Sequence, residues 1–202
     1  MKIVAIDAGR GHCNVSRSVE VAAHSAELAG ATVHRIKLSN LHIKSCTGCK
    51  LCLTGESCKI HDDLTYLSDL IAESDGVIFG IPESRNRRNP QCNSMIDRLA
   101  TYFSNHGQMK LPGFGDAYVT QTPTARATKR AIIITANHYN LPIGAFFSRS
   151  RGTISELRSI FSQTRISPIG ALEVTDKLKD GRLCDDVRDK AYSLGRILAG
   201  KC

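Results

Sequence analysis

Half of the eight cysteines in this 202-residue chain lie in one short segment. Cys46, Cys49, Cys52 and Cys58 follow the spacing C-x2-C-x2-C-x5-C. Three cysteines at successive intervals of three can wrap a compact inorganic core, and four thiolates complete an iron–sulfur cluster. The spacer that contains Gly55 would let the last cysteine return to the fourth corner. The spacing therefore favours a [4Fe-4S] cluster held by these four cysteines.

The same thiols are compatible with other chemistry. Zinc also binds four thiolates, although its structural sites usually pair two C-x2-C units across a longer loop. Redox-active thiols, or a set that has lost its ligand, are further alternatives. The cysteines outside the segment are isolated, and a lone cysteine is more often a small buried apolar residue than a ligand. Among these, Cys13 differs because it precedes a predicted helix, whose positive N-terminus can lower a thiol pKa.

A loop with two glycines, residues 7–16, connects the first predicted strand to the first predicted helix. A helix N-terminus offers unpaired N–H groups and positive potential to an anion, and Arg10, Asn14 and Ser16 add donors. The loop lacks the third glycine of the dinucleotide fingerprint and the Gly-Lys-Ser/Thr of a P-loop. Phosphate binding and an ordinary turn with Asn14 as the helix cap are both compatible with this loop.

Strands and helices are predicted to alternate along the chain. Short apolar runs indicate strands, and apolar residues at helical spacing indicate helices. Gly30 is a predicted C-cap, and Asp62 or Asp63 a predicted N-cap. Residues 105–128 show little periodicity and are interpreted as an excursion or lid. The predicted strands are residues 2–6, 32–38, 77–79, 130–136 and 166–174, and the predicted helices are residues 15–29, about 64–74, 91–103, 153–163 and 184–199.

This alternation predicts a single α/β domain over residues 1–202, built on a doubly wound five-stranded parallel sheet. The cysteine segment would be an insertion after the second strand. In such sheets, ligands bind beyond the C-terminal ends of the strands. We therefore predict that the loops at residues 7–15, 81–90 and 136–150 converge on one site.

Composition and charge narrow the class of protein. The chain is 42% apolar and 23% charged, as in ordinary globular proteins, and its apolar runs are too short to cross a bilayer. The first residues lack the apolar stretch of a signal peptide, so we expect a cytoplasmic location and no membrane association. The net charge of +8 is densest at residues 85–88 and otherwise dispersed, which does not favour nucleic acid as a partner.

These motifs in this order resemble the flavodoxin-fold NAD(P)H-dependent FMN reductases, and most closely the iron–sulfur flavoproteins among them. The resemblance extends well over residues 1–104 and rests on the order of strands and helices beyond. The matching features are the first loop from Arg10 to Ser16, the cysteines from Cys46 to Cys58, the pair Asp62-Asp63, the strand end Gly80-Ile81-Pro82, and the run from Met95 to Arg98.

The resemblance implies a flavodoxin-like fold and a flavin-dependent oxidoreductase that transfers electrons between a [4Fe-4S] cluster and FMN. NAD(P)H, a ferredoxin or a small molecule would be the electron donor or acceptor, and the subunits would form a homodimer or homotetramer. No catalytic side chain is assigned. The implied FMN contacts are Arg10, Asn14, Val15 and Ser16 in the first loop, Pro82, Glu83, Ser84, Arg85 and Asn86 in the second, and Asn137, His138 and Tyr139 in the third.

The chain departs from the family pattern in the first two of these loops. Ala8 and Val15 stand where relatives usually have serine and threonine, so a hydroxyl expected at the phosphate is absent. Residues 83–88 contain no aromatic side chain that could stack on the flavin ring. Two alternatives follow: a cluster-free NAD(P)H-dependent FMN reductase with structural cysteines, and a zinc-stapled, non-enzymatic binding module whose arginine-rich loop contacts a polyanion.

Overall fold

Strands and helices alternate in the protein much as the sequence predicts. The structure is a computed structural model that describes residues 1–9, 11, 13–51, 58–82, 89–105, 108–110, 118–120, 129–137, 154–155, 157–158, 161, 166–175 and 183–200. The strands in these ranges are β1 (Lys2–Asp7), β2 (Thr32–Lys37), β3 (Gly76–Ile81), β4 (Gln108–Lys110), β5 (Tyr118–Thr120), β6 (Lys129–Asn137) and β7 (Ile166–Thr175). The helices are α1 (Asn14–Leu28), α2 (Leu64–Glu73), α3 (Pro90–Asn105) and α4 (Asp185–Leu198), with a 3-10 turn at Leu38–Asn40.

The described parts of the predicted elements lie within two residues of the predicted bounds. Gly30 has a positive φ of 92° immediately after α1, as predicted for a C-cap glycine. Of the predicted helix at 153–163, residues 154–155, 157–158 and 161 are described, and all are helical. None of the helices within the described ranges has the length and apolar character needed to cross a membrane.

The main sheet has the strand order β2-β1-β3-β6-β7, and all neighbouring strands are parallel. The chain proceeds from β1 outward to β2 and then returns to the other side of β1, which places a topological switch point between β1 and β3. This order is the flavodoxin-like form of the doubly wound sheet, in which ligands bind at the switch point. The prediction of a doubly wound parallel sheet is therefore confirmed.

Helices cover both faces of the sheet, and each face has its own apolar core. Alternate residues of one strand point to opposite faces, so Val4 and Ile6 of β1 belong to one core and Ile3 and Ala5 to the other. Helices α2 and α3 pack on the first face together with Leu157 and Phe161, and α1 and α4 pack on the second.

Two glycines allow α1 to pack closely against its neighbours. A Cβ on Gly80 of β3 would lie 2.3 Å from Cγ2 of Val19 in α1. A Cβ on Gly195 of α4 would lie 2.0 Å from Oγ of Ser25 and 2.1 Å from the carbonyl oxygen of Ala22. These glycines bring α1 against the C-terminal half of β3 and against the backbone of α4.

The predicted excursion at residues 105–128 is described only in part. Strands β4 and β5 in this region pair antiparallel as a separate two-stranded sheet. Residues 106–107, 111–117 and 121–128 lie outside the described residues. That this region acts as a lid stays a prediction.

Candidate functional site

The C-terminal ends of β1, β3 and β6 lie side by side at one edge of the sheet. Asp7 is in register with Gly80, Ile81 is in register with Thr135, and the N–H of Ala8 donates to the carbonyl oxygen of Gly80 at 2.9 Å. The predicted loops thus leave the sheet at adjacent points. Pro82 directly follows β3 and Asn137 ends β6, whereas Arg10, Glu83, Ser84, Arg85, Asn86, His138 and Tyr139 lie outside the described residues.

Helix α1 presents its N-terminus at this edge. It begins at Asn14, and Cys13 occupies the N-cap position, so Asn14 is the first helical residue rather than the predicted cap. Within the described residues, the Cys13 side chain makes no capping hydrogen bond and the first turn carries no acidic residue. Asn14 and Val15 are buried against the sheet. An uncapped helix N-terminus with no acidic residue in its own first turn is suited to an anion.

A carboxylate that the sequence analysis did not single out organises the first loop. The side chain of Asp7 accepts a hydrogen bond from the N–H of Gly9 at 2.8 Å and from the hydroxyl of Ser16 at 2.9 Å, both at Oδ1. The Sγ of Cys13 lies 3.3 Å from the Ser16 hydroxyl oxygen. The Ser16 hydroxyl is therefore engaged with Asp7. The sequence did carry a signal for this contact: an acid ends a buried strand, and a serine follows in the next helix.

The described cysteines of the four-cysteine segment are accessible free thiols. Cys46, Cys49 and Cys58 are exposed, and Cys52 lies outside the described residues. The N–H of Gly48 donates to Cys46 Sγ at 3.4 Å. The N–H of Leu51 holds the pKa of the Cys49 thiol below its ordinary value. At Cys49, this N–H favours thiolate over thiol, as a metal ligand requires.

The backbone on either side of Cys49 adopts left-handed conformations. Gly48 has φ of 70° and Lys50 has φ of 60°. Positive φ is easily adopted by glycine but is uncommon for a residue with a side chain, and such residues cluster at functional sites. The backbone thus turns sharply at the centre of the cysteine motif.

The donor chemistry of this segment fits a thiolate-bound group, although its described thiols are not gathered around a common point. Among the residues that the structure describes, no three His, Cys, Asp or Glu side chains lie close enough together to hold a metal ion. Each described thiol nevertheless has an N–H donor: Gly48 for Cys46, Leu51 for Cys49 and the guanidinium of Arg98 for Cys58. The chain therefore supplies hydrogen bonds to sulfur at all three described positions.

Two aspartates connect the chain before the cysteine segment to the start of α2. Asp63 occupies the N-cap position of α2, but its carboxylate accepts from the N–H of His42 at 2.6 Å rather than from the helix. Asp62 accepts from the N–H of Lys44 at 2.8 Å and from the N–H of Leu64 at 3.2 Å. The prediction of a capping aspartate is met by Asp62, since Leu64 is the first residue of α2. The pair also ties residues 42–44 to the start of that helix.

Arg98 of α3 is buried against both ends of the segment. Its Nη1 donates to Asp62 Oδ2 at 2.5 Å and to the carbonyl oxygen of Lys44 at 3.0 Å. Its Nη2 donates to Cys58 Sγ at 3.7 Å and to the carbonyl oxygen of Ile60 at 3.4 Å. The sequence analysis included Arg98 in a family motif but assigned it no contact.

The ion pair between Arg98 and Asp62 is almost fully removed from water, with side-chain exposures of 5% and 2%. Burial disfavours both charges, but the hydrogen bond and the attraction between the two groups outweigh it. As a result the pKa of Asp62 lies below, and the pKa of Arg98 above, the ordinary value.

Helix α3 connects this segment to the edge of the sheet. Gln91 Nε2 donates to the carbonyl oxygen of Leu38 at 2.9 Å and also to that of Leu41. The hydroxyl oxygens of Ser94 and Ser45 lie 3.0 Å apart. These contacts hold residues 38–45, which lead into the cysteine segment, against the first turns of α3.

Residues 1–153 match the model of the protein family described as NADPH-dependent FMN reductase. This match extends from β1 past the end of β6 and includes the first loop, the cysteine segment and α3. The chain belongs to that family.

Curated relatives of this FMN reductase family member carry the name iron–sulfur flavoprotein. One from Archaeoglobus fulgidus is 34% identical over 103 residues, which are 50% of this chain and 47% of the relative. One from Methanocaldococcus jannaschii is 27% identical over 99 residues, which are 48% of this chain and 51% of the relative. The matched part spans about half the length of these curated relatives.

Solved structures similar to this FMN reductase family member share its fold. A flavone reductase has a TM-score of 0.69 at 20% identity, covering 99% of this chain and 62% of that one. An NAD(P)H:quinone oxidoreductase from Methanothermobacter marburgensis has a TM-score of 0.62 at 14% identity, covering 98% and 97%. Flavodoxin 1 from Bacillus cereus has a TM-score of 0.60 at 11% identity, covering 100% and 99%. The fold is therefore flavodoxin-like.

Proposed function

We propose that this chain is an iron–sulfur flavoprotein oxidoreductase that transfers electrons between a [4Fe-4S] cluster and FMN. The observation that carries the proposal is the four-cysteine segment that follows β2, whose described thiols are exposed and each receive an N–H donor. The segment lies on a fold of the FMN reductase family, and relatives that match about half of the chain are named iron–sulfur flavoproteins.

Cys46, Cys49, Cys52 and Cys58 are the proposed ligands of the cluster. When bound, an iron–sulfur cluster supplies one-electron chemistry at a potential that hydrogen bonds to its sulfurs adjust. The N–H groups of Gly48 and Leu51 and the guanidinium of Arg98 are this chain's contribution to that adjustment. The aspartates at the base of the segment hold its ends against α2.

FMN is proposed to bind at the C-terminal ends of β1, β3 and β6. When bound, FMN supplies both hydride and single-electron transfer. The first turn of α1 would hold its phosphate through backbone N–H groups, because the Ser16 hydroxyl is engaged with Asp7. The proposed phosphate contacts are Arg10, Asn14, Val15 and Ser16, and the proposed contacts to the remainder of the flavin are Pro82, Glu83, Ser84, Arg85, Asn86, Asn137, His138 and Tyr139.

The partners proposed for this oxidoreductase follow from its cofactors. NAD(P)H, a ferredoxin or a small molecule would donate or accept electrons, and the family description favours NADPH. We also propose that the chain is one domain, that it acts in the cytoplasm and that it assembles as a homodimer or homotetramer. Sedimentation of the anaerobic protein measures the assembly, and a monomer at micromolar concentration would contradict it.

Anaerobic purification followed by optical spectroscopy and metal analysis tests the proposed function. We expect a brown protein with bound FMN and about four irons per chain. Cys49→Ala should lose the iron and its absorbance, whereas the matched control Cys184→Ala, an exposed cysteine before α4, should keep both.

Other results of this experiment select the alternatives. A yellow protein with flavin but no iron would identify a cluster-free NAD(P)H-dependent FMN reductase. A colourless protein that contains zinc, and that binds nucleic acid in a salt-sensitive way, would identify a non-enzymatic module. Either result would overturn the electron-transfer proposal.

A further inference from the structure

From one buried position, Arg98 contacts the chain just before the first cysteine and the chain at the last cysteine and beyond. We call these two stretches the arms of the cysteine segment. The carbonyl oxygen of Lys44 precedes the first cysteine, and the other contacts, Cys58, Ile60 and Asp62, belong to the end of the segment. The guanidinium is planar and presents its N–H groups in a fixed fork. A single side chain thus sets the distance between the two arms and at the same time directs an N–H toward a cysteine sulfur.

Stability alone is a weak reason for this arrangement. A buried ion pair is often no more stabilising than well-packed apolar residues of similar volume, because both charges lose their hydration. Asp62 also uses its carboxylate to accept from the backbone N–H groups of Lys44 and Leu64. The main role of this ion pair is therefore to orient the segment and not to stabilise the fold.

The geometry points to Arg98 as the positioning residue of the four-cysteine site. We infer that Arg98 holds the two arms of the segment at the spacing that the site needs, and that it keeps a charged N–H directed at the sulfur of Cys58. Asp62 in turn fixes the orientation of the guanidinium. This inference rests on the proposed function and deepens it, because it assigns control of metal retention and reduction potential to a residue outside the cysteine motif.

The direction of the expected effect follows from electrostatics. A reduced cluster carries more negative charge than an oxidised one, so a donor or a positive charge near its sulfur stabilises the reduced form and raises the reduction potential. Removal of the N–H donated to Cys58 should therefore lower the potential. Loss of a group that orients a metal ligand also weakens metal retention, typically by about tenfold or more.

The test compares variants in the anaerobically purified, iron-loaded protein. Arg98→Lys keeps the positive charge but loses the fork that reaches Asp62 and Cys58 together. Arg98→Gln combined with Asp62→Asn removes the charged guanidinium donor without leaving an unpaired buried charge, so its folding is not compromised in that way. Arg35→Gln is the control for charge, because Arg35 is paired with Glu20 and Glu27 away from the segment.

The measurements are the rate of iron release to a chelator, the midpoint potential of the cluster and the urea unfolding curve. We expect iron release about tenfold or more faster, or failure of the folded protein to retain iron, in both Arg98 variants. We also expect a lower midpoint potential in any Arg98 variant that retains iron, with Arg35→Gln unchanged in each respect. Iron-loaded Arg98 variants with the wild-type potential and release rate would overturn the inference, even if they unfold more easily. Wild-type protein without iron would instead refute the proposed function.

Discussion

Ser16 lies at the predicted phosphate site, but its side chain has a structural partner. Its hydroxyl donates to Asp7, which also accepts from the N–H of Gly9. A Cβ on Gly9 would approach the Ser16 oxygen to 2.2 Å, so the loop is closely packed around this group. At the residue scale, the hydroxyl therefore shapes the loop, and the helix backbone is the group left to bind an anion.

Ser16→Ala should lower stability more than it lowers flavin affinity. We expect the free energy of unfolding to fall by about 1.5–3 kcal/mol, the usual range for a hydrogen bond to a charged group. The Kd of FMN should change by less than about tenfold, since backbone N–H groups stay in place. Urea unfolding and a fluorescence titration with FMN measure these quantities, with Ser39→Ala, an exposed serine, as the control. A tenfold or larger loss of FMN affinity at unchanged stability would show that the hydroxyl itself binds the flavin.

Asp62 should contribute to the acid sensitivity of the protein. Its pKa in the folded protein lies below the ordinary value of 3.8, so the stabilisation that it provides is complete above that value. The stabilisation is lost as the pH falls through the lowered folded pKa. Asp62→Asn should therefore unfold more easily at neutral pH, by about 3 kcal/mol, because Arg98 is left buried without its partner.

The same variant should also show a weaker decline of stability below about pH 4, because one linked carboxylate is missing. Unfolding by urea at several pH values checks both effects. Asp69→Asn, which changes an exposed carboxylate of α2, is the matched control and should be within about 0.5 kcal/mol of wild type at neutral pH. If the stability of Asp62→Asn depended on pH in the same way as that of the wild type, Asp62 would not be a source of the acid sensitivity.

At the scale of elements, α1 links the candidate site to the rest of the fold. Its N-terminus lies at the edge of the sheet, its buried side packs on β3, and its second half contacts α4. The position of the helix along the sheet is set by close approaches at Gly80 and Gly195. A side chain introduced at either glycine should therefore displace α1.

Gly195→Ala should disturb the packing of α1 against α4. The new methyl group would come within 2.1 Å of the carbonyl oxygen of Ala22, so a helix backbone must move. Overpacking of this kind typically costs about 1–3 kcal/mol. Thermal unfolding should show the loss, whereas Ser193→Ala, at an exposed position of the same helix, should change stability by less than about 0.5 kcal/mol. Wild-type stability of Gly195→Ala would mean that the helices are further apart.

At the scale of the whole molecule, flavin binding should stabilise the fold. A ligand that binds only the folded protein contributes about 2.7 kcal/mol at a concentration of one hundred times its Kd. For a chain of 202 residues, this corresponds to a rise of about 5–10 °C in Tm. Thermal unfolding of flavin-depleted protein with FMN measures the rise, and riboflavin, which lacks the phosphate, should give a smaller one. Equal shifts for FMN and riboflavin would contradict a phosphate site at α1.

Most of the sheet and its helices could be predicted because the signal for each element is local. Strand β3 is an uninterrupted apolar run, β6 contains one at residues 131–134, and the apolar residues of α2 recur at helical spacing. Alternation of these elements then restricts the topology, because parallel neighbours require right-handed crossovers. The cysteine motif was equally visible, since its residues are close together in the chain.

The sequence by itself therefore determined the α/β class, the order of the elements that build the main sheet and the identity of the candidate metal ligands. Only the tertiary structure showed that Ser16 is engaged with Asp7, that Asp63 binds the His42 backbone and that Arg98 reaches a cysteine 40 residues away. Periodicity depends on neighbours along the chain, whereas the Asp7–Ser16 contact depends on how α1 packs at the end of β1, and the other two depend on how α2 and α3 pack after long connections. A side chain's partner across such a crossover is decided by the packing of whole elements, which no local pattern records.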